Sequence, residues 1–170
     1  MKTTVQRQTV DLSAFPDLVV IYLGMRVRTM RGLRTLFGFG PQIGKAGSGR
    51  PEGLLHFENN IIFSLFPLNL GMRWYWRDFE SMERWARSDP HRIWWQSFLR
   101  DSGGTGFWHE TYFMRGGMEA IYDDLTKPLG FQAFARSERA RGPMFAARNR
   151  LGVQGAAPAQ PEGASEADMY

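Results

Sequence analysis

The order in which strand-like and helix-like patterns follow one another constrains the fold more than any other feature of this chain. Runs of β-branched and aromatic residues predict strands, because such side chains pack well on a pleated sheet. These runs occupy residues 17–27, 53–66, 69–79 and 106–117. Apolar residues recur every three to four positions after the first run and between the last two, which indicates amphipathic helices. The resulting order, βαββαβ, predicts an α+β fold with a four-stranded antiparallel sheet and both helices on one face.

Glycine and proline indicate where the helices begin and end. We expect the first helix to end before the glycine-rich segment 38–53, which we interpret as a loop. This segment is not a phosphate-binding loop, because three residues instead of four separate Gly40 and Gly44, and Ala46 stands where the motif requires Ser or Thr. In the second helical region we expect Asp89 to cap a helix whose first position is Pro90.

Composition excludes several kinds of site. The chain of 170 residues contains no cysteine, so a disulfide framework, an iron–sulfur cluster and a thiolate-bound metal or haem are excluded. The three histidines, His56, His91 and His109, fall on three different predicted elements and lack the spacing that places two metal ligands on one face. We therefore predict no metal site apart from a haem.

The positive net charge of +4 does not indicate nucleic-acid binding. Residues 136–150 carry five Lys or Arg against one Asp or Glu, and residues 151–170 carry none against three. The short row Arg28, Arg31 and Arg34 is typical of a solvated helix face, and a sustained basic surface interleaved with aromatic residues is missing from the sequence. We predict no nucleic-acid partner.

Composition divides the chain into three parts. Residues 1–16 are a polar N-terminal strap, residues 17–135 form the α+β domain, and residues 136–170 are a basic segment followed by a disordered acidic tail. The first residues lack the apolar core of a signal peptide, and no apolar run approaches the ~18 residues of a membrane span. We therefore expect a cytoplasmic protein without a membrane partner.

One face of the predicted sheet has no covering helix, although its strands are apolar. An exposed apolar patch of this kind is typical of an interface, and symmetric dimers are the commonest oligomers. We therefore expect a homodimer that forms through this face of the sheet.

Four segments of the chain resemble a known superfamily. They are GMRVRTMRGLRTLFGFGPQI, GLLHFENNII, NLGMRWYWRDFESMERWARSDPHRIWW and GTGFWHETY, within residues 17–134. They are similar to the dimeric α/β-barrel superfamily, in which two ferredoxin-like subunits press their sheets together and each keeps a cavity between sheet and helices. Within it, the chain resembles a monooxygenase-like family of bacteria and fungi, related to a monooxygenase of fungal polyketide biosynthesis and often labelled phenylacetaldoxime-dehydratase-like. The resemblance implies a ferredoxin-like fold and an oxygenase or haem-type enzyme of secondary metabolism that acts on a hydrophobic small molecule, and it carries over no residue role.

Aromatic side chains indicate a binding surface for such a molecule. Trp74 and Trp76 are two residues apart and therefore stack along one face of their strand. We expect a flat apolar slot suited to a conjugated ring or polyene, although the same side chains also suit a hydrophobic core. The candidate substrate-binding residues are Trp74, Trp76, Trp94, Trp95 and Phe107.

His109 and Glu110 stand side by side in the last predicted strand, so they point to opposite faces of the sheet. His109 shares its face with Phe107 and is the candidate base of a cavity. Glu110 requires a cationic partner if it is buried, and Arg73 and Arg77 are the candidates.

Three functions are compatible with these residues. In the leading hypothesis, a cofactor-free monooxygenase, His109 removes a proton from a phenol or enol, the anion transfers an electron to dioxygen, and Asn59 or Asn60 holds the developing oxyanion. The second is a haem enzyme, either an aldoxime-type dehydratase or a haem-degrading enzyme, with His91 or His109 as the axial ligand. The third is a non-catalytic dimeric protein that binds a small molecule.

Overall fold

The structure is a computed structural model that describes residues 6–114, 117–120, 122–123, 125, 128, 130–145 and 149–150. Residues 17–113 form one unit, and the described residues before 17 and after 113 form another. The described residues between 114 and 135, which composition assigns to the main domain, therefore group with the N-terminal strand.

The elements have the following bounds. In chain order the strands are β1 (Arg7–Asp11), β2 (Val19–Val27), β3 (Leu54–Leu65), β4 (Leu68–Trp76), β5 (Thr105–Phe113), β6 (Tyr122–Asp123) and β7 (Arg136–Arg139). The helices are α1 (Met30–Ser48), α2 (Phe79–Arg87) and α3 (His91–Arg100), and short 3-10 helices occupy Gly130–Ala133 and Gly142–Phe145. None of the described helices combines the length and the apolar character needed to cross a bilayer.

The four-stranded sheet of the 17–113 unit has the order β3-β4-β2-β5, and every neighbouring pair is antiparallel. Helices α2 and α3 lie on one face of this sheet. The rings of Trp74 on β4 and Trp85 on α2 are 4.8 Å apart, and those of Phe107 on β5 and Trp95 on α3 are 5.3 Å apart. The predicted ferredoxin-like βαββαβ order is confirmed, with the second helical region divided into two helices.

Helix α1 continues to Ser48, so the prediction of a loop is wrong for residues 38–48 and holds only for residues 49–53. Glycine disfavours a helix interior by about 1 kcal/mol relative to alanine, but here it allows close approach to neighbouring elements. A Cβ on Gly32 would lie 2.3 Å from the Gly104 carbonyl oxygen, and one on Gly47 would lie 3.1 Å from the Phe57 ring. These tertiary contacts outweigh the low helix propensity, and they place α1 on the same face of the sheet as α2 and α3.

The two helices of the second helical region begin in different ways. The Asp78 carboxylate caps α2 by accepting a hydrogen bond from the Ser81 backbone N–H at 2.7 Å. Helix α3 begins at His91 without a side-chain cap, so the predicted cap by Asp89 is wrong. The Asp89 carboxylate instead accepts a hydrogen bond from Nε of Arg92 at 3.2 Å. The Asp89 carboxylate therefore forms an ion pair with Arg92 and does not cap the backbone N–H groups of α3.

Tryptophan side chains fill the core between the sheet and the helices. Trp74 and Trp76 are each 1% exposed, and their rings stack 6.0 Å apart, which confirms the stacking predicted from alternation along the strand. Trp85 of α2 packs against both rings. The other buried members of this cluster are Val19, Ile43 and Met72.

The opposite face of the sheet, here called the outer face, carries a hydrogen-bonded ion pair. The Arg73 guanidinium donates to the Glu58 carboxylate at 2.6 Å and to the Tyr22 hydroxyl at 2.8 Å. Glu110 is exposed and accepts a hydrogen bond from the Tyr112 hydroxyl at 2.5 Å, whereas Arg73 pairs with Glu58 and Arg77 with Asp78. An arginine partner for Glu110 across the interface stays a prediction. The homodimer predicted through this face stays a prediction, which light scattering of the purified protein tests.

The other unit contains a three-stranded antiparallel sheet with the order β6-β1-β7. Arg7 of β1 forms an ion pair with Asp123 of β6 at 2.8 Å. The segment 136–150, predicted only as basic, thus begins with a paired strand, and residues 151–170, predicted as a disordered tail, lie outside the described residues.

Candidate functional site

A cavity of about 370 Å³, here called the first cavity, lies between the sheet and the helices of the 17–113 unit. This volume falls within the range of small-molecule sites. His91 and His109 are the only titratable side chains among the described residues that line it. The lining consists of Ile21, Leu23, Met25, Phe39, Ile43, Trp74, Trp76, Met82, Trp85, Ala86, His91, Trp94, Trp95, Phe98, Phe107, His109 and Thr111.

His91 is the first residue of α3, and the preceding helix determines which ring nitrogen carries its proton. Nδ1 lies 2.7 Å from the carbonyl oxygen of Ala86. Because a carbonyl oxygen can only accept, Nδ1 carries the proton and the neutral ring keeps a lone pair on Nε2. Burial lowers the pKa of His91 below its usual 6.5; the hydrogen bond to Ala86 opposes this shift, and the charge of nearby His109 adds to it. The Nε2 lone pair therefore stays unprotonated at neutral pH.

His109 reaches the first cavity from β5, an edge strand of the sheet. It is an exposed residue, so it lies where the cavity meets solvent. Its ring centroid is 6.1 Å from that of Phe107, its neighbour on the same face. Because side chains alternate along a strand, Glu110 lies on the outer face, opposite to the face of His109.

The aromatic residues predicted to bind substrate all line the first cavity: Trp74, Trp76, Trp94, Trp95 and Phe107. Nε1 of Trp74 is buried and has no hydrogen-bond acceptor among the described residues. A buried N–H without an acceptor is rare in native proteins. Because this nitrogen is closed off from solvent, a bound molecule would reach it only after neighbouring side chains move.

The substrate-binding residues predicted from the sequence leave out three aromatic walls of this cavity, Phe39, Trp85 and Phe98. Phe39 belongs to the segment that we interpreted as a loop, whereas the apolar side of the helix at 79–88 carried a signal for Trp85. No sequence signal identifies the hydrogen bond between His91 and Ala86, because it depends on how α3 turns away from α2.

Asn59 and Asn60, predicted to act with His109, line a second cavity of about 380 Å³ and do not line the first. The pairing register of β3 shifts between Glu58 and Ile61, and Asn60 has a φ of 59°. A β-bulge of this kind redirects side chains. The structure therefore does not bring Asn59 and Asn60 together with His109.

The third histidine, His56, lies on the outer face and lines neither cavity. Its ring stacks on Tyr75 at 5.8 Å, and its Nε2 is 4.0 Å from the Glu58 carboxylate. Burial lowers the pKa of His56, and the nearby Glu58 charge partly opposes this shift. Within the described part of the chain, no group of three or more His, Asp or Glu side chains is arranged to hold a metal ion.

The family model described as Monooxygenase af470-like matches residues 18–131 of this chain. The chain belongs to the Monooxygenase af470-like family. Both cavities of this family member, and the histidines and asparagines that line them, fall within the matched residues.

This member of the Monooxygenase af470-like family is also similar to aldoxime dehydratases. It is 31% identical over 121 residues to an aliphatic aldoxime dehydratase from Rhodococcus globerulus, a match that covers 64% of this chain and 32% of the relative. It is 26% identical over 153 residues to an aliphatic aldoxime dehydratase from Rhodococcus erythropolis, with 77% and 41% of the two chains covered. The crystal structure of an aldoxime dehydratase in complex with butyraldoxime matches with a TM-score of 0.66 and 25% sequence identity, over 88% of this chain and 43% of that one. The chain thus spans less than half the length of these relatives.

Proposed function

We propose that this protein is a haem-dependent dehydratase that converts a hydrophobic aldoxime into a nitrile and water. The similarity to aliphatic aldoxime dehydratases supports this reaction class. The observation that carries the proposal is the unprotonated Nε2 of His91, on a ring that lines an apolar cavity together with His109.

The donor set of the first cavity fits haem. A histidine that binds a metal through one ring nitrogen usually donates its other N–H to a carboxylate or a backbone carbonyl, as His91 does to Ala86. A porphyrin also requires flat apolar surroundings, which Trp94 and Trp95 of α3 supply. We therefore assign His91 as the residue that would hold the iron. The chemistry that haem supplies when bound is polarisation of the oxime N–O bond by its iron.

His109 supplies the proton transfers that the dehydration requires. Loss of water from R–CH=N–OH breaks the N–O bond and the C–H bond, so the hydroxyl takes up one proton and the carbon gives up another. Protonated His109 donates the first proton and, once neutral, accepts the second, so it ends in the state in which it began. Its position where the cavity meets solvent also lets the released water leave.

A cofactor-free monooxygenase is the second candidate, favoured by the family description and by the place of His109 in an apolar cavity. In that reaction His109 removes a proton from a phenol or enol, and the anion reduces dioxygen. Asn59 and Asn60 line the other cavity, so the buried N–H of Trp74 would have to hold the oxyanion in their place. We rank this reaction second because the two amides predicted to hold the oxyanion, those of Asn59 and Asn60, do not line the cavity of His109.

Titration of the purified protein with haemin separates the two reactions. We expect a saturable Soret band in the wild type and in the His56→Ala control, whose histidine lies outside the cavity. The band should be lost in His91→Ala, with circular dichroism showing that this variant is folded. The haem-loaded protein should form butyronitrile from butyraldoxime.

The other outcomes of this experiment identify the other functions. Absence of haem binding together with oxygen consumption on a phenolic substrate would indicate the monooxygenase. Breakdown of the bound haem itself would indicate a haem-degrading enzyme, and ligand binding without any turnover would indicate a non-catalytic binding protein. A Soret band that persists in His91→Ala would contradict the assignment of the iron ligand.

A further inference from the structure

The second cavity is a space that the proposed dehydration does not use. Leu23, Met25, Ile43 and Phe107 line both cavities, so a single apolar wall separates them. The volume of the second cavity, about 380 Å³, matches that of the first, about 370 Å³. A hydrocarbon chain that passes this wall can extend from one cavity into the other.

Gly40 keeps the second cavity open on the side of α1. A Cβ added to Gly40 would meet no atom within 4 Å, whereas a Cβ at Gly32 or Gly47 would press against neighbouring atoms at 2.3 and 3.1 Å. Packing therefore requires glycine at position 32 and is tight at position 47, whereas at position 40 it sets no such limit and glycine weakens the helix. Gly40 lines the second cavity, and a side chain at this position would extend into space that no other residue occupies within 4 Å.

The β-bulge brings two consecutive amides to this same cavity. In a regular strand Asn59 and Asn60 would point to opposite faces of the sheet. Here both line the second cavity, because the register shifts after Glu58 and Asn60 adopts a φ of 59°. Asparagine adopts this left-handed region more readily than most residues, so its presence at position 60 is consistent with the bulge.

The polar groups of the second cavity are uncharged. Among the described residues that line it, the polar side chains are the carboxamides of Asn59 and Asn60 and the hydroxyl of Ser48. Ser48 already donates to the Gly44 carbonyl at 3.0 Å, which leaves the carboxamides for a ligand. Asn59 and Asn60 are exposed to solvent, and a carboxamide both donates and accepts, so the pair suits an uncharged hydroxyl or amide group of a ligand.

We propose that the second cavity binds an uncharged hydrogen-bonding group, a hydroxyl or a carboxamide, at the far end of the substrate whose aldoxime group lies in the first cavity. This inference rests on the proposed dehydration. The substrate class is then a long-chain aldoxime with a neutral polar terminus. Its hydrocarbon chain crosses the shared wall at Met25 and Phe107, where the flexible thioether of Met25 adapts to it.

The test compares straight-chain aldoximes that carry a terminal hydroxyl with the same aldoximes without it. The chain lengths run from that of octanal to that of hexadecanal. In the haem-loaded wild type, the terminal hydroxyl should raise kcat/KM by about twofold to tenfold once the chain is long enough, the effect of one neutral hydrogen bond. Gly40→Leu fills the open space and should abolish this preference. Gly38→Leu should keep it, because Gly38 is exposed on the same helix and an added Cβ there also meets nothing within 4 Å.

Calorimetry of the same compounds makes the result independent of turnover. Asn60→Gly removes one carboxamide and retains the backbone conformation, so it should weaken binding of the hydroxylated compounds by a similar factor and leave the parents unchanged. Thermal unfolding checks that Gly40→Leu is folded.

The outcomes distinguish this inference from the proposed function. A hydroxyl preference in binding that Gly40→Leu abolishes, without nitrile formation, would overturn the dehydration and support the second cavity as the site of the polar terminus. Nitrile formation without any hydroxyl preference, or with the same preference in Gly40→Leu and Gly38→Leu, would overturn the inference and leave the dehydration standing.

Discussion

The first and second cavities share one apolar wall but are built from opposite kinds of residue. Tryptophan and histidine crowd the first cavity, where Trp74 and Trp76 are each 1% exposed. Glycine and asparagine line the second, where Gly40 leaves space and the bulge at Asn60 supplies an amide. Large aromatic side chains thus make the first cavity apolar, whereas the second cavity has open space beside Gly40 and two carboxamides at the bulge.

The largest effect on this comparison should come from His109→Gln, because glutamine cannot transfer a proton. Loss of a general acid–base group lowers kcat by about 10²- to 10⁴-fold. The Soret band and the preference for a terminal hydroxyl should remain, since His91 is the proposed ligand of the iron and the second cavity is untouched. Steady-state kinetics and a haemin titration measure these quantities. A wild-type kcat would refute the role of His109, and a lost Soret band would exchange the roles of the two histidines.

A smaller effect should separate two substitutions at the bulge. Alanine at position 60 must adopt the left-handed conformation, so Asn60→Ala should lower the free energy of unfolding by about 1 kcal/mol. Asn60→Gly should be at least as stable as the wild type, because glycine adopts a positive φ without steric cost. Urea denaturation measures both values. Equal losses in the two variants would show that the amide, and not the backbone, accounts for the stability of the bulge.

The smallest effect is the pH dependence of stability that comes from His91 in the first cavity. The native pKa of His91 lies below its usual 6.5, so the stability that neutral His91 contributes is complete above pH 6.5. It is lost as the pH falls from 6.5 towards the native pKa, because the unfolded chain takes up the proton first. Without added haem, the free energy of unfolding should therefore fall more steeply below pH 6.5 in the wild type than in His91→Gln.

Urea denaturation on either side of pH 6.5 tests this difference, and parallel slopes in the two proteins would contradict it. The described lining of the second cavity contains no titratable side chain. Binding of a hydroxylated alkane probe to that cavity should therefore stay constant over the same range of pH.

Local patterns were sufficient for the four strands of the 17–113 unit and for the faces on which the residues of β4 and β5 lie. Alternation along β4 predicted the stack of Trp74 on Trp76, and alternation along β5 separated His109 from Glu110. Such predictions succeed because a strand residue points to one side or the other whatever the rest of the chain does.

The sequence did not predict features that depend on contacts between elements. The end of α1 was misplaced because glycine disfavours helices in isolation, whereas Gly32 and Gly47 here allow contacts that stabilise the helix. Asn59 and Asn60 were assigned to the cavity of His109 because regular alternation does not foresee a bulge. The sequence thus identified Asn59, Asn60 and His109 as candidate site residues but did not show that they line different cavities.

The sequence by itself determined the order of elements, the absence of cysteine chemistry, and an aromatic sheet face with a histidine on it. Only the tertiary structure decided that this face carries two cavities and which polar groups enter each. It also decided the protonation of His91, because the carbonyl that takes its Nδ1 proton belongs to Ala86 on a different helix. Periodicity in a chain is local information, whereas a site is formed where separate elements meet, and that meeting depends on packing.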